Sequence, residues 1–217
     1  MEIMGGDTGI TDVGKQPLLS LTGVGRMKKE RMMEPGGIKP GQDIVITKWI
    51  GLEGTSIAAK EKEKLLLERF APLFVDTAKG FDQYLSVLPE AKIAGAWGVS
   101  AMHDITEGGV FGALWEMASG SDVGLDIDLK KIPIRQETVE VCEVLGLNPY
   151  ILMFSGSVMI AAQDGHGLVR ELPQAGNSTD AVGKAKAGKE RILRNGEETR
   201  YLDKPQSDEL YKIYQKD

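Results

Sequence analysis

Runs of strand length alternate with runs of helix length along the second half of the chain, and this alternation limits the possible folds. GVSAMHD, GLDIDL and GSVMIAA are short apolar segments that predict strands. GGVFGALWEMAS and RQETVEVCEVLG have the three- and four-residue apolar spacing of helices. A strand near residues 180–184, a hairpin turning at Asn195 and Gly196, and a terminal helix in SDELYKIYQ follow. The pattern predicts an α/β or α+β fold.

The front of the chain has a different pattern, which predicts β structure broken by turns. Residues 18–25 alternate loosely, residues 43–47 are a β-branched run, and the glycine- and proline-rich EPGGIKPGQ lies between them. The period becomes helical from Thr55, so a helix is predicted to start near Gly54. We therefore predict a front domain at residues 1–46 and a second domain at residues 47–217. Because about 46 residues are too few for an independent core, other residues should complete the front domain.

Composition excludes several classes of protein. Hydrophobic residues make up 41% of the chain and charged residues 27%, as in folded globular domains. The net charge of −6 argues against a nucleic-acid partner, because phosphate binding needs clustered lysine and arginine. The chain has no apolar run of membrane-spanning length and MEIMGGDTG has no signal-peptide pattern, so we expect a cytoplasmic protein without a membrane partner. The single cysteine, Cys142, is expected to be a buried packing residue.

The segment AMHDITEGGVFGALWEMA, residues 101–118, joins a predicted strand to a predicted helix. Apolar residues form one face of that helix and are predicted to lie in the core: Val110, Phe111, Leu114, Trp115 and Ala118. The turn before the helix holds six residues of interest: His103, Asp104, Thr106, Glu107, Gly108 and Gly109. Unpaired backbone N–H groups and the helix dipole favour an anion at such a turn, and glycines let a phosphate or carboxylate approach the backbone.

Two interpretations of this turn remain open. In the first, the turn only caps the helix: Thr106 or Asp104 accepts the first N–H groups, Glu107 favours the dipole, and His103 is a satisfied edge residue. In the second, four polar side chains exceed what a cap needs. They would supply general acid–base and hydrogen-bonding groups to a substrate held at the helix end.

A second candidate site is the loop GGDT near the start of the chain, formed by Gly5, Gly6, Asp7 and Thr8. Two glycines beside a carboxylate suit a phosphate or its magnesium ion, and an ordinary Gly-Asp turn is the alternative. The turn SGS at residues 155–157 is either ligand-facing or structural. The sequence contains no Walker A motif, dinucleotide fingerprint or Cys/His metal cluster.

Five segments, taken in order, resemble the AIR synthase-related (PurM/HypE-like) superfamily. They are GGDTGITD, IKPGQDIVITKWIGLEGTSIAA, HDITEGGVFGALWEMA, NPYILMFSGSVMIAA and SDELYKIY, and HDITEGG is the most specific. The resemblance implies a PurM C-terminal-like domain with a mixed sheet and flanking helices, preceded by a remnant of a β-rich N-terminal domain. It also implies an ATP-dependent reaction in which phosphoryl transfer activates an amide-type oxygen of a small-molecule substrate.

The resemblance also implies roles for the residues of both candidate sites. The GGDT loop matches a phosphate- and magnesium-binding loop: Gly5, Gly6, Asp7 and Thr8, with Asp7 as the Mg²⁺ ligand. The HDITEGG turn matches a turn at the cleft of the superfamily. The catalytic positions would be His103, Asp104, Thr106 and Glu107, and the ATP-binding positions would be Gly108 and Gly109.

The sequence departs from the superfamily pattern at both ends. Members usually carry paired magnesium-binding aspartates before the GGDT loop, whereas this chain begins at Met1, four residues before Gly5. HypE ends in a cysteine-bearing tail, whereas this chain ends in YKIYQKD, so HypE activity proper is not expected. We expect either an ATP-dependent enzyme, as a homodimer or with a separate N-terminal half, or a non-catalytic binding or regulatory remnant that self-associates.

Overall fold

The computed structural model describes residues 20–26, 28–29, 32–33, 35–153, 155–172, 179–204 and 207–214. The chain forms two compact units, Met1–Met32 and Met33–Asp217. In the first unit, residues 20–26 form no strand, and the side chains of Leu21 and Val24 are 84% and 95% exposed. The strand predicted at residues 18–25 is therefore wrong over its described part. Alternating apolar residues form a strand only where one face can be buried.

The second unit contains a seven-stranded mixed sheet. In chain order the strands are β1 (Asp43–Ile46), β2 (Ala101–Asp104), β3 (Gly124–Asp128), β4 (Val158–Ala162), β5 (Asp180–Lys186), β6 (Arg191–Asn195) and β7 (Glu198–Tyr201). Their spatial order is β2-β4-β1-β5-β3-β6-β7, and β3 and β6 are the parallel pair among antiparallel neighbours. The hairpin predicted at Asn195 and Gly196 joins β6 to β7.

Helices flank this sheet, as predicted. They are α1 (Leu52–Glu61), α2 (Glu63–Leu67), α3 (Pro72–Lys79), α4 (Leu88–Trp97), α5 (Gly109–Ser121), α6 (Gln136–Leu145) and α7 (Gly165–Glu171). The predicted terminal helix is a 3₁₀ helix at Glu209–Tyr214. Across the described residues, the helices are too short or too polar to cross a membrane.

Two helical regions differ from what the sequence predicts, for local reasons. The single helix predicted from near Gly54 is divided into α1, α2 and α3. Lys62 leaves helical geometry, and Pro72, which has no N–H to continue a helix, begins α3. Helix α4 was not predicted, because the small residues of LPEAKIAGAW leave no clear apolar periodicity.

The core lies on both faces of the sheet. Ile44 and Ile46 of β1 belong to the same buried cluster as Leu114 of α5. Val45, which points to the opposite face, belongs to a second cluster that includes Ala94 of α4 and Leu168 of α7. Side chains of a strand alternate between faces, so residues 44–46 of β1 are all apolar because both sides of the strand are covered.

The pairing of strand β1 is informative about where the chain divides into domains. The predicted boundary after residue 46 assigns this strand to the front domain, yet it pairs with β4 on one side and β5 on the other. It lies within the compact unit that starts at Met33. We therefore propose a boundary near Met33 in place of residue 46.

Candidate functional site

The HDITEGG turn connects the edge strand β2 to helix α5, as the sequence predicted. His103 and Asp104 end β2, where they pair with Met159 and Val158 of β4. Asp104, Thr106 and Glu107 are exposed, whereas the intervening Ile105 is fully buried. One buried side chain thus anchors a turn that presents its polar groups to solvent.

Gly109 is required by close packing at the start of α5. Its φ is +62°, and a Cβ there would lie 2.6 Å from the backbone oxygen of Tyr150 and 2.8 Å from Cα of Ile151. Gly108, with φ of +78°, is the N-cap residue of the helix. Gly109 therefore allows the loop around residue 150 to contact the start of the helix directly.

A carboxylate from the C-terminal segment binds the start of α5. Gly108 N–H donates to Oδ2 of Asp208 at 2.8 Å, and the side chain of Asp208 is almost fully buried. Backbone N–H groups of Met153 and Leu210 donate to its Oδ1, each at 2.9 Å. The anion that the helix end was predicted to favour is thus supplied, in this structure, by Asp208. Sequence reasoning missed this residue, although SDELYKIY had been singled out as a segment.

His103 lies beside the middle of α5 and is separated from the helix end. Its Nε2 is 2.9 Å from Oε2 of Glu116, and its Nδ1 contacts the backbone oxygen of Asp104. The His103 side chain is 18% exposed and that of Glu116 is 62% exposed. Glu116 was also missed, yet the sequence held a signal, because it is the only charged residue in α5.

A cleft of about 450 Å³ opens between α5 and the C-terminal segment. Its lining includes Glu107, Gly108, Trp115, Glu116, Lys204 and Asp208. The guanidinium of Arg191 lies over the indole ring of Trp115, with 3.8 Å between its Cζ and the ring centroid. The volume lies in the range of small-molecule sites, and the lining combines carboxylates, one ammonium and an aromatic wall.

The remaining predictions concern the GGDT loop and a bound metal ion. Gly5, Gly6, Asp7 and Thr8 lie outside the described residues. Within the described ranges, no group of three or more histidine, cysteine or acidic side chains could hold a metal ion.

Cys142 is buried, as predicted for a packing residue. Burial raises the pKa of its thiol to about 12, and the nearby Glu209 adds to the effect. A thiol with so high a pKa stays protonated and is a poor nucleophile. Cys142 is therefore not a candidate for nucleophilic catalysis.

The SGS turn forms hydrogen bonds with neighbouring segments. Nζ of Lys48 donates to the backbone oxygen of Gly156 at 2.8 Å and forms an ion pair with Glu90 at 3.1 Å. The hydroxyl of Ser157 donates to the backbone oxygen of Thr47. Backbone N–H of Ile105 donates in turn to the oxygen of Ser157. These bonds favour the structural interpretation of the SGS turn, because the turn is hydrogen-bonded to the backbone of Ile105 in the HDITEGG turn.

Comparison with known proteins identifies related chains. A putative hydrogenase expression/formation protein of Methanocaldococcus jannaschii is 28% identical over 217 residues, which is 97% of this chain and 62% of the relative. The carbamoyl dehydratase HypE of Cupriavidus necator is 30% identical over 190 residues, 80% of this chain and 51% of that protein. The chain thus spans about half to three-fifths of the length of these relatives.

Solved structures share the fold. A crystal structure of the hydrogenase maturation protein HypE in complex with ATP superposes with a TM-score of 0.63 at 18% identity, over 86% of this chain and 57% of that one. The family model for the C-terminal domain of AIR synthase related proteins matches residues 39–194. This match spans more than half of the chain and includes both β1 and the HDITEGG turn. The chain therefore belongs to the AIR synthase-related family, through that family's C-terminal domain.

Proposed function

We propose that the chain supplies the acceptor-binding half of an AIR synthase/HypE-like, ATP-dependent enzyme that acts on a small-molecule amide-type oxygen. The observation that carries the proposal is the cleft of about 450 Å³ beside the HDITEGG turn, in a domain of this family. One relative is named a carbamoyl dehydratase, and a HypE structure contains ATP. Hydrogenase maturation is accordingly the process that we propose for the chain.

The described residues do not by themselves fit a nucleoside triphosphate. Gly108 N–H already donates to Asp208, and Lys204 is the single basic side chain in the cleft lining. A triphosphate needs its charge neutralised by cations and by free N–H groups. When bound, ATP would supply the phosphoryl group that activates the oxygen. We propose that other parts of the protein bind it: Gly5, Gly6, Asp7 and Thr8, with Asp7 binding Mg²⁺, together with a separate N-terminal half or a second copy.

The residues of the turn would bind and orient the acceptor. Asp104 and Glu107 offer exposed carboxylates and Thr106 an exposed hydroxyl, all within one turn that Ile105 anchors. Carboxylates accept hydrogen bonds from an amide or amine, and a hydroxyl can donate to a carbonyl oxygen. A fixed set of such groups beside a reacting oxygen favours reaction by positioning.

Mg-ATP calorimetry tests this proposal. We expect weak or undetectable binding by the chain alone. Binding and phosphate release should appear after mixing with the segment of the M. jannaschii relative that this chain does not match. In the mixture, Asp104→Asn should lower phosphate release by at least about tenfold. Asp122→Asn, an exposed change at the far end of α5, should leave it unchanged.

Two results would contradict parts of the proposal. Micromolar Mg-ATP binding by the chain alone would show that no second half is needed. A mixture that neither binds ATP nor releases phosphate would rule out the enzyme and favour the non-catalytic alternative.

A further inference from the structure

We infer that Glu116 is the ligand-binding carboxylate of the cleft, that His103 is its positioning residue, and that the pair selects a ligand bearing nitrogen-bound hydrogens, such as an amide, amidine or amine. The assignment of this ligand as the acceptor rests on the proposed function. The binding itself does not.

The side chains of Glu116 and His103 differ in solvent exposure, and this difference assigns ligand binding to Glu116 and positioning to His103. Glu116 lines the cleft and its side chain is 62% exposed. His103 is 18% exposed and is not among the lining residues, and its Nε2 lies 2.9 Å from Oε2 of Glu116. A ligand in the cleft therefore meets the carboxylate first, and the imidazole acts through it.

The contact with His103 orients the carboxylate of Glu116. The contact engages Oε2, which lies 2.9 Å from Nε2 of His103. The other ring nitrogen of His103 contacts the backbone oxygen of Asp104, so both ring nitrogens lie beside oxygen atoms. A carboxylate fixed in this way loses little conformational freedom when it binds a donor.

The rest of the lining favours a donor-rich and flat ligand over an anion. Glu107 and Glu116 outnumber the single ammonium of Lys204, and the carboxylate of Asp208 is already bonded to backbone N–H groups. Trp115 provides an aromatic wall, and its ring forms a cation–π contact with Arg191. Aromatic walls bind flat groups, and carboxylates bind N–H donors.

A matched pair of probes tests the inference. Benzamidine and benzoate have the same shape and opposite charge, and their binding to the full chain can be measured by ligand-observed NMR in EDTA-containing buffer. We expect benzamidine to bind and benzoate not to bind. Glu116→Gln should weaken benzamidine by about tenfold, because a hydrogen bond to a charged group is lost. Glu143→Gln, which removes an exposed carboxylate on α6, should leave binding unchanged.

The positioning role has its own readout. His103→Gln retains a donor for Glu116 and should bind benzamidine nearly as well as the native chain, whereas His103→Leu should weaken it several-fold. Melting curves of all variants check that the fold is retained. Equal binding of benzoate and benzamidine, or equal losses in Glu116→Gln and Glu143→Gln, would overturn the inference. Benzamidine binding in a chain whose ATP test fails would leave this site standing and reject the proposed enzyme.

Discussion

Replacing Asp208 with asparagine should destabilise the second compact unit, because three backbone donors converge on this side chain. Gly108 donates to one carboxylate oxygen at 2.8 Å, and Met153 and Leu210 donate to the other at 2.9 Å each. Asp208 is 2% exposed, so water cannot replace a lost acceptor. An asparagine keeps one oxygen, and its amide nitrogen must then face a donor.

The expected size follows from the number of donors left without an acceptor. The asparagine oxygen can keep the bonds to Met153 and Leu210, so Gly108 N–H alone is left facing an NH₂ group. One buried unsatisfied donor costs about 1–3 kcal/mol, and we expect a loss of about 2 kcal/mol. Asp208→Ala removes all three acceptor contacts and should cost about 3–5 kcal/mol, since such losses are not additive.

Urea unfolding followed by circular dichroism measures both variants. Asp203→Asn is the matched control, because this exposed carboxylate lies in the same segment and its change should stay within about 0.5 kcal/mol. Amide exchange at Gly108 and Met153 locates the effect. A loss below about 1 kcal/mol for Asp208→Asn, or one equal to that of the control, would refute the argument.

Three further predictions concern backbone packing, thiol chemistry and pH. Gly109→Ala should cost at least about 2 kcal/mol in thermal melts, whereas Gly146→Ala, with a similar positive φ but open space around it, should cost about 1 kcal/mol. Equal losses would contradict a packing role. The folded chain should resist iodoacetamide at about pH 8, because burial raises the pKa of Cys142 to about 12; rapid labelling of native protein in mass spectra would contradict this. Burial raises the pKa of Asp43, but hydrogen bonds from Lys184 and a backbone N–H outweigh it and leave the pKa below its ordinary value. Because the pKa is lower in the folded state, the ionised carboxylate adds to the free energy of unfolding above about pH 4, and this contribution is lost as the pH falls through the folded-state pKa. The free energy of unfolding of Asp43→Asn should therefore depend less on pH on the acid side.

The strand–turn–helix order around HDITEGG could be predicted because its signals are local. The short apolar segment that includes β2 and the apolar spacing in α5 are set by neighbouring residues, and both elements appear where predicted. Helix α4 and the breaks between α1, α2 and α3 were harder to predict. They depend on small residues, on the backbone geometry of Lys62 and on a single proline, which contribute little to a periodic pattern.

The candidate site was predicted in part. Thr106 and Glu107 lie on the predicted turn, whereas His103 and Asp104 are the last residues of β2. The structure also brings His103 next to Glu116, a partner the sequence analysis did not consider. The single charge within an otherwise uncharged helix was the available signal. It indicates an unusual position without showing which residue lies opposite.

The sequence by itself determined the order of the elements, the turn that carries the polar side chains, and the apolar face of α5. These follow from rotations and hydrogen bonds within a few residues. Only the tertiary structure decided which anion meets the start of α5 and which groups line the cleft. Asp208 is 100 positions from Gly108 along the chain, and the cleft exists only because the C-terminal segment lies against α5. Such contacts depend on how the whole sheet and its helices pack, and no local pattern encodes them.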